Sequence, residues 1–172
     1  MVRAGAPHAQ KLVTPPGLVR YVAFMQTLSV RGLQELPALV TEDVEFRDPF
    51  NNLRGAHDLE ACLREMLSQI GDLRIVVTHV GRLEATTERE SALWCLRWHF
   101  GGKLLRLRGQ PWSVVGMSEV TLAADGRVAR HLDYWDAAQG LYETLPLVGG
   151  FQRWLRRRLA VPGVRQHQDA AH

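Results

Sequence analysis

The sequence predicts an α+β domain in which helices gather on one face of a curved antiparallel or mixed sheet. Three observations predict it. Helical apolar spacing fills much of the first 70 residues, alternating strand-length runs fill 73–135, and one such run, Asp43–Asp48, interrupts the helices. At 172 residues the chain suits one ordinary domain. Its 46% hydrophobic and 23% charged residues are globular composition, not disorder.

Residues 1–14 show no period and read as a flexible leader. Thr14-Pro15-Pro16 then starts a helix, since proline suits a first turn. Leu18, Tyr21, Val22, Met25 and Leu28 lie on one side of that helix. A second, short helix follows Gly32, with Leu33, Leu36, Leu39 and Val40 on one face and Pro37 limiting its length. In Asp43–Asp48 the residues Val44, Phe46 and Asp48 share one face, an acid in phase with apolar neighbours. Pro49 and the Asn51-Asn52 turn end that strand. Leu59, Leu63, Met66, Leu67 and Ile70 mark a third helix, closed by Gly71. Four strands follow: Leu73–Leu83, Ala92–Phe100, Trp112–Leu122 and Arg127–Trp135, with Gly101-Gly102 and Asp125-Gly126 as hairpin turns. Asp136, with Gln139 three residues on, caps a further helix. Pro146 and Gly149-Gly150 break it, so the domain is expected over 15–145 and an extension over 146–172.

That extension sets Phe151, Trp154, Leu155 and Leu159 against Arg153, Arg156 and Arg157, a basic amphipathic helix. The formal net charge is +3, yet without the tail arginines the body is mildly acidic. No continuous positive surface for phosphates is expected, and hence no nucleic-acid partner. The tail is expected to pack on the body or on a second subunit rather than on a membrane surface. The start shows no basic segment followed by an apolar run, and no run is long enough to span a bilayer. A cytoplasmic domain is the expectation. Cys62 and Cys95 have no CxxC or zinc-type spacing, so they read as small apolar residues, and no metal or cofactor is expected.

Strand phase bears on the site. In Ala92–Phe100 the even positions Trp94, Leu96, Trp98 and Phe100 are all apolar, while Leu93, Cys95, Arg97 and His99 mix apolar and ionisable groups. The even row is expected outside, as the contact of a homodimer, and the odd row along a cavity. His131, Asp133 and Trp135 share a face of the last strand by the same period.

Phe46-Arg47-Asp48-Pro49 before Gly55, and Gly126-Arg127-Val128 followed by Leu132-Asp133-Tyr134-Trp135-Asp136, resemble the nuclear transport factor 2-like superfamily. Ketosteroid isomerases, SnoaL-like polyketide cyclases and limonene-epoxide hydrolases share that fold. The resemblance runs from about Pro16 to Glu143 and implies a cone-shaped sheet holding an apolar pocket for a small hydrophobic molecule. Arg20-Tyr21-Val22-Ala23 and Asp48-Pro49 resemble the oxyanion-donor and proton-shuttle segments of ketosteroid isomerase, with Ser118 near the second donor. By that likeness Asp48 is the base and Tyr21 the donor of an isomerase-type proton transfer. Arg97-Trp98-His99 and Asp133 resemble the Arg-x-Asp and final aspartate of limonene-epoxide hydrolase, with Phe46 and Asp48 at its water-holding positions. The implied pocket is completed by Leu93, Cys95, His131 and Trp135.

Each feature also has a purely structural reading. Asp48 can satisfy loop amides, Tyr21 can be core, and His79 and His131 can be ordinary sheet residues. Arg97, His99 and Asp133 can form an ionic network, in which Asp133 is expected to take Arg97 and leave Asp48 beside Tyr21. A catalyst, a non-catalytic ligand-binding module and an epoxide-hydrolase-like enzyme all remain open at this level.

Overall fold

The computed structural model describes residues 13–86 and 93–137. The leader up to residue 12, the helix opened by Asp136 and the basic extension fall outside the described residues, apart from Asp136 and Ala137 themselves. Helix α1 (Pro16–Gln26) starts where expected and buries Leu18, Tyr21 and Phe24. A 3-10 helix, Gly32–Ala38, holds Pro37, whose missing N–H prevents an α-helical continuation. Strands β1 (Val40–Arg47) and β2 (Asn52–Arg54) lead into α2 (Ala56–Gln69). Then come β3 (Ile70–Leu83), β4 (Leu93–Leu104), β5 (Gln110–Leu122) and β6 (Val128–Trp135). The first compact unit ends at Trp135.

The six strands form one sheet in the order β2-β1-β6-β5-β4-β3. Every pairing is antiparallel except β1 with β6, which is parallel. The fold is therefore α+β with a mixed sheet, its helices packed on one face. Among the described residues no helix is long and apolar enough to cross a membrane.

Three local expectations fail for identifiable reasons. Asn52 belongs to a short strand pairing with β1, where Arg47 opposes it. Gly71 is the second residue of β3 and caps nothing, because Ile70 is already extended. Gly101 and Gly102 lie inside β4, and the chain reverses instead at Arg108 and Gly109, which take positive φ of 57° and 73°. Gly102 is needed in the strand for room: a Cβ there would run into the Ile70 side chain and the Gly71 carbonyl. Asp125-Gly126 does make the β5–β6 turn, with Gly126 at φ 85° and Asp125 Oδ1 accepting from the Arg127 amide.

The largest correction concerns strand faces. Trp94, Leu96 and Trp98 are buried in the core with Tyr21, Phe46 and Leu59, and Phe100 packs against it. The uniformly apolar row thus faces the helices, as alternation dictates once Val44 and Phe46 define the core side. Leu93, Cys95, Arg97 and His99 occupy the opposite face, beside exposed Val76, Val115 and Met117. A dimer contact through the tryptophan row is excluded by its burial.

Helix α1 is seated on the sheet by a close backbone approach. A Cβ on Gly17 would collide with the Gly126 carbonyl at the tip of the β5–β6 turn. Gly17→Ala is expected to lower stability by about 1–3 kcal/mol despite alanine's better helix propensity. Gly81→Ala, with nothing within 4 Å of its new methyl, is expected to be neutral or slightly stabilising. Thermal melts of the two variants check this; equal melting temperatures would contradict the close-approach account.

Candidate functional site

The inner face of the sheet carries polar side chains at three neighbouring positions, and they are wired together. Ser118 on β5 opposes Asp133 on β6, and His131 lies two residues before Asp133 on the same face. Tyr21 reaches them from α1. The Tyr21 hydroxyl lies 2.7 Å from His131 Nδ1, and His131 Nε2 lies 2.8 Å from Asp133 Oδ1. Ser118 donates to the same Oδ1 at 2.5 Å and accepts from Trp98 Nε1 at 2.7 Å.

Elementary donor counting orients this chain. An indole N–H only donates, so Ser118 Oγ accepts from Trp98 and sends its own hydrogen to Asp133. Oδ1 is then a carboxylate acceptor, and the His131 nitrogen facing it, Nε2, carries a hydrogen. In the neutral imidazole Nδ1 is therefore bare and accepts from Tyr21. Both arms end on one oxygen. Among the described residues the other, Oδ2, accepts no hydrogen bond.

Packing holds the arms in place. The His131 ring sits between Tyr21 and Phe46, edge-on to both at centroid distances of 5.6 and 5.4 Å. The Trp98 ring lies across Gly116, where any Cβ would strike it, and this lets the indole reach Ser118. Burial and the nearby Asp133 charge push the Tyr21 hydroxyl far above the usual phenol range, so it stays a proton donor.

Asp133 is the most open member of the chain: 16% of its side chain is exposed, against 4% for His131. Beyond it on the inner face stands a group of half-buried rings. Trp135 packs on Phe50 (5.3 Å) and Trp112 (5.8 Å), and Trp112 on Phe100 (5.2 Å). The buried Trp112 Nε1 has no hydrogen-bond partner.

The other expected site residues are placed elsewhere. Both Asp48 oxygens are held in the β1–β2 loop: Oδ1 accepts from the amides of Phe50 (2.7 Å) and Asn51 (2.6 Å), and the Asn51 side chain donates to both. No hydrogen bond joins Asp48 to Tyr21. Arg97 does not pair with Asp133; on the outer face it donates to Thr78 Oγ1 and His99 Nε2, each at 3.2 Å. Leu93 and Cys95 share that outer face. Burial, helped by the Glu119 charge, pushes the Cys95 thiol up, and burial with Asp48 does the same for Cys62. Of the named residues, Tyr21, Phe46, Ser118, His131, Asp133 and Trp135 come together on the inner face. Trp98, Trp112, Phe50 and Phe100 join them unforeseen; the even phase shared by Trp98, Trp112 and Ser118 was the available signal. Among the described residues no three His, Cys, Asp or Glu side chains gather as a metal set.

The Tyr21 geometry has a measurable consequence at high pH. An unfolded chain ionises its tyrosines near 10, whereas folded Tyr21 resists ionisation. Stability from this group is complete below about pH 10 and declines as pH rises above it. Denaturant melts from pH 8 to 11 should show that decline, and Tyr21→Phe should flatten it. Tyr21→Phe should also cost about 1–3 kcal/mol at neutral pH by leaving His131 Nδ1 unpaired. An identical slope in both proteins would refute the burial of a phenol here.

A SnoaL-like domain model matches residues 21–131. No curated protein matches the sequence. Among solved structures, an NTF2-like protein of unknown function from Exiguobacterium sp. 255-15 superposes with TM-score 0.58 at 18% identity, covering 70% of this chain and 98% of its own. TsrD from Streptomyces laurentii gives 0.57 at 20% identity, over 76% and 92%. A hypothetical protein with a ketosteroid isomerase-like fold from Catenulispora acidiphila, in complex with trimethylamine, gives 0.57 at 14%, over 80% and 95%. At these identities the structures speak for the fold alone. With its family pattern running from the Tyr21 helix to the His131 strand, the chain belongs to the SnoaL-like domain family.

Proposed function

We propose that the protein binds a small, largely apolar carbonyl compound against the inner sheet face and moves a proton on it, with Asp133 as the base. One observation carries this reading. Asp133 has one oxygen that accepts two oriented hydrogen-bond arms and another that accepts none among the described residues, at the border between the buried core and the aromatic group. A carboxylate so fixed has lost the freedom to collapse onto its neighbours and keeps a lone pair for a ligand proton.

In the step itself Asp133 Oδ2 takes the proton from the carbon next to the carbonyl. That C–H bond breaks, and its electron pair becomes the enolate. The new Asp133 O–H then returns the proton to another carbon of the same system, so the reaction is an isomerisation with no net redox change. Tyr21, His131, Ser118 and Trp98 touch no ligand in this scheme; they are positioning residues that fix Oδ1 and the rotamer of the base.

Asp48 was the base expected by likeness to ketosteroid isomerase, and its four loop hydrogen bonds favour a structural role instead. Likeness to the epoxide hydrolases needs Arg97 beside Asp133, and the two lie on opposite faces. A panel of Δ5-type ketones, aromatic ketones and epoxides, assayed with wild type, Asp133→Asn and Asp48→Asn, separates these readings. Asp133→Asn should lower ketone turnover about 100-fold or more, with ligand affinity retained. Asp48→Asn should mainly lower the melting temperature. Turnover lost with Asp48→Asn at unchanged stability would overturn the assignment to Asp133. Ligand binding without turnover in any protein would favour the non-catalytic module.

A second copy of the chain is the proposed partner of the outer face. Val115 and Met117 are each 47% exposed there, with Tyr134 beside Met117 on β6 and Val76 on β3, beyond the His99 that opposes Val115 on β4. Sedimentation should find a dimer at micromolar concentration and a monomer for Val115→Glu/Met117→Glu. A wild-type monomer would contradict the proposal.

A further inference from the structure

Among the described residues two buried side-chain polar atoms have no hydrogen-bond partner, Thr41 Oγ1 and Trp112 Nε1, and the second belongs to the group of four rings on the inner face. Trp112 Nε1 is shielded from water and bonded to nothing. Trp98, another inner-face indole, shows what a satisfied one looks like, 2.7 Å from Ser118. Leaving an N–H desolvated and unpaired costs about 1–3 kcal/mol, so its persistence asks for a reason.

The surroundings supply one. Trp112 lies in the inner-face row of β5 with its ring against Phe100 and Trp135, and Phe50 packs on Trp135 in turn. None of these rings is fully buried, and Phe50 is 48% exposed. They meet edge-on or tilted at 5.2–5.8 Å and so present faces and edges to a flat guest. Along the same face, Trp135 is followed inward by Asp133. A planar ligand lodged among the rings thus has the Asp133 carboxylate two residues inward from Trp135 and the unpaired Trp112 donor within the group itself.

We infer that Trp112 is a ligand-anchoring residue: its indole N–H donates to a carbonyl oxygen of a flat, unsaturated guest that parts the rings. Satisfying an already desolvated donor makes the oxygen a selection element, because a guest without an acceptor leaves the N–H as it was. The inference deepens the ligand-binding half of the proposed function and rests on it, but does not depend on Asp133 acting as a base.

Two probes of one shape isolate the oxygen: 2-acetylnaphthalene and its hydrocarbon isostere 2-isopropenylnaphthalene. Wild type should prefer the ketone, and Trp112→Phe should weaken ketone binding about 10-fold while changing hydrocarbon binding less than about 2-fold. In indole N–H spectra, assigned with single Trp→Phe variants, the ketone should shift the Trp112 signal downfield and leave Trp98 in place. Asp133→Asn should retain both the ketone preference and the Trp112 shift, whatever it does to turnover. Equal weakening of both probes by Trp112→Phe would reduce the residue to packing and overturn the inference. So would a ketone that moves no indole signal, or wild-type protein that binds neither probe. Survival of turnover in Asp133→Asn with the Trp112 shift intact would instead remove the base and keep the anchor.

Discussion

The inner face of this sheet is organised by the need to satisfy one carboxylate. Asp133 lies among aromatic and aliphatic side chains, where an unpaired charge would be expensive. Two arms answer that need on a single oxygen, Trp98 through Ser118 and Tyr21 through His131. Trp98 can only donate, which sets the direction of its arm through Ser118, and the carboxylate so identified sets the His131 hydrogen on Nε2 and leaves Nδ1 to accept from Tyr21.

Backbone details in distant parts of the chain serve this arrangement. Gly116 removes the side chain that would hold the Trp98 ring away from Ser118. Gly17 lets α1 settle directly on the β5–β6 turn, which fixes the height at which Tyr21 meets His131. The parallel pairing of β1 with β6 sets Phe46 opposite His131 and so packs the imidazole from its other side. The site is thus a property of α1 and four neighbouring strands, and among the described residues no arginine or lysine pairs with Asp133. The salt bridges at Arg54, Arg64, Lys103 and Arg106 are on exposed surface, where such pairs add little.

The order of elements was readable because helical and alternating periods are carried by large apolar residues. Val44 and Phe46, or Leu59 and Leu63, leave little doubt of which side is buried. What was misread was phase on β4. Arg97 and His99 look functional as letters, and a row of tryptophans looks like an interface when its facing helices are unknown. The burial of Trp94 and Trp98 turns the strand over and sends Arg97 and His99 to the outer surface. Asp48 misled differently: its phase with Val44 and Phe46 is real, but the strand ends at Arg47, so alternation no longer governs where its side chain goes. The shared face of His131 and Asp133 is legible as strand period, but the partner that makes His131 a link, Tyr21, lies 110 residues away, a spacing that leaves no trace in sequence.

The account turns on which way hydrogens run along Tyr21, His131 and Asp133. A long-range proton–nitrogen spectrum of the histidine side chains, with His131 assigned by His131→Gln, reads this directly. Neutral His131 should carry its hydrogen on Nε2, facing Asp133, with Nδ1 bare and accepting from Tyr21. Removing the hydroxyl in Tyr21→Phe should move the Nδ1 signal and leave the tautomer unchanged. A bare Nε2 with the hydrogen on Nδ1 would mean that Asp133 is the protonated partner, and the carboxylate at the centre of this account would not exist.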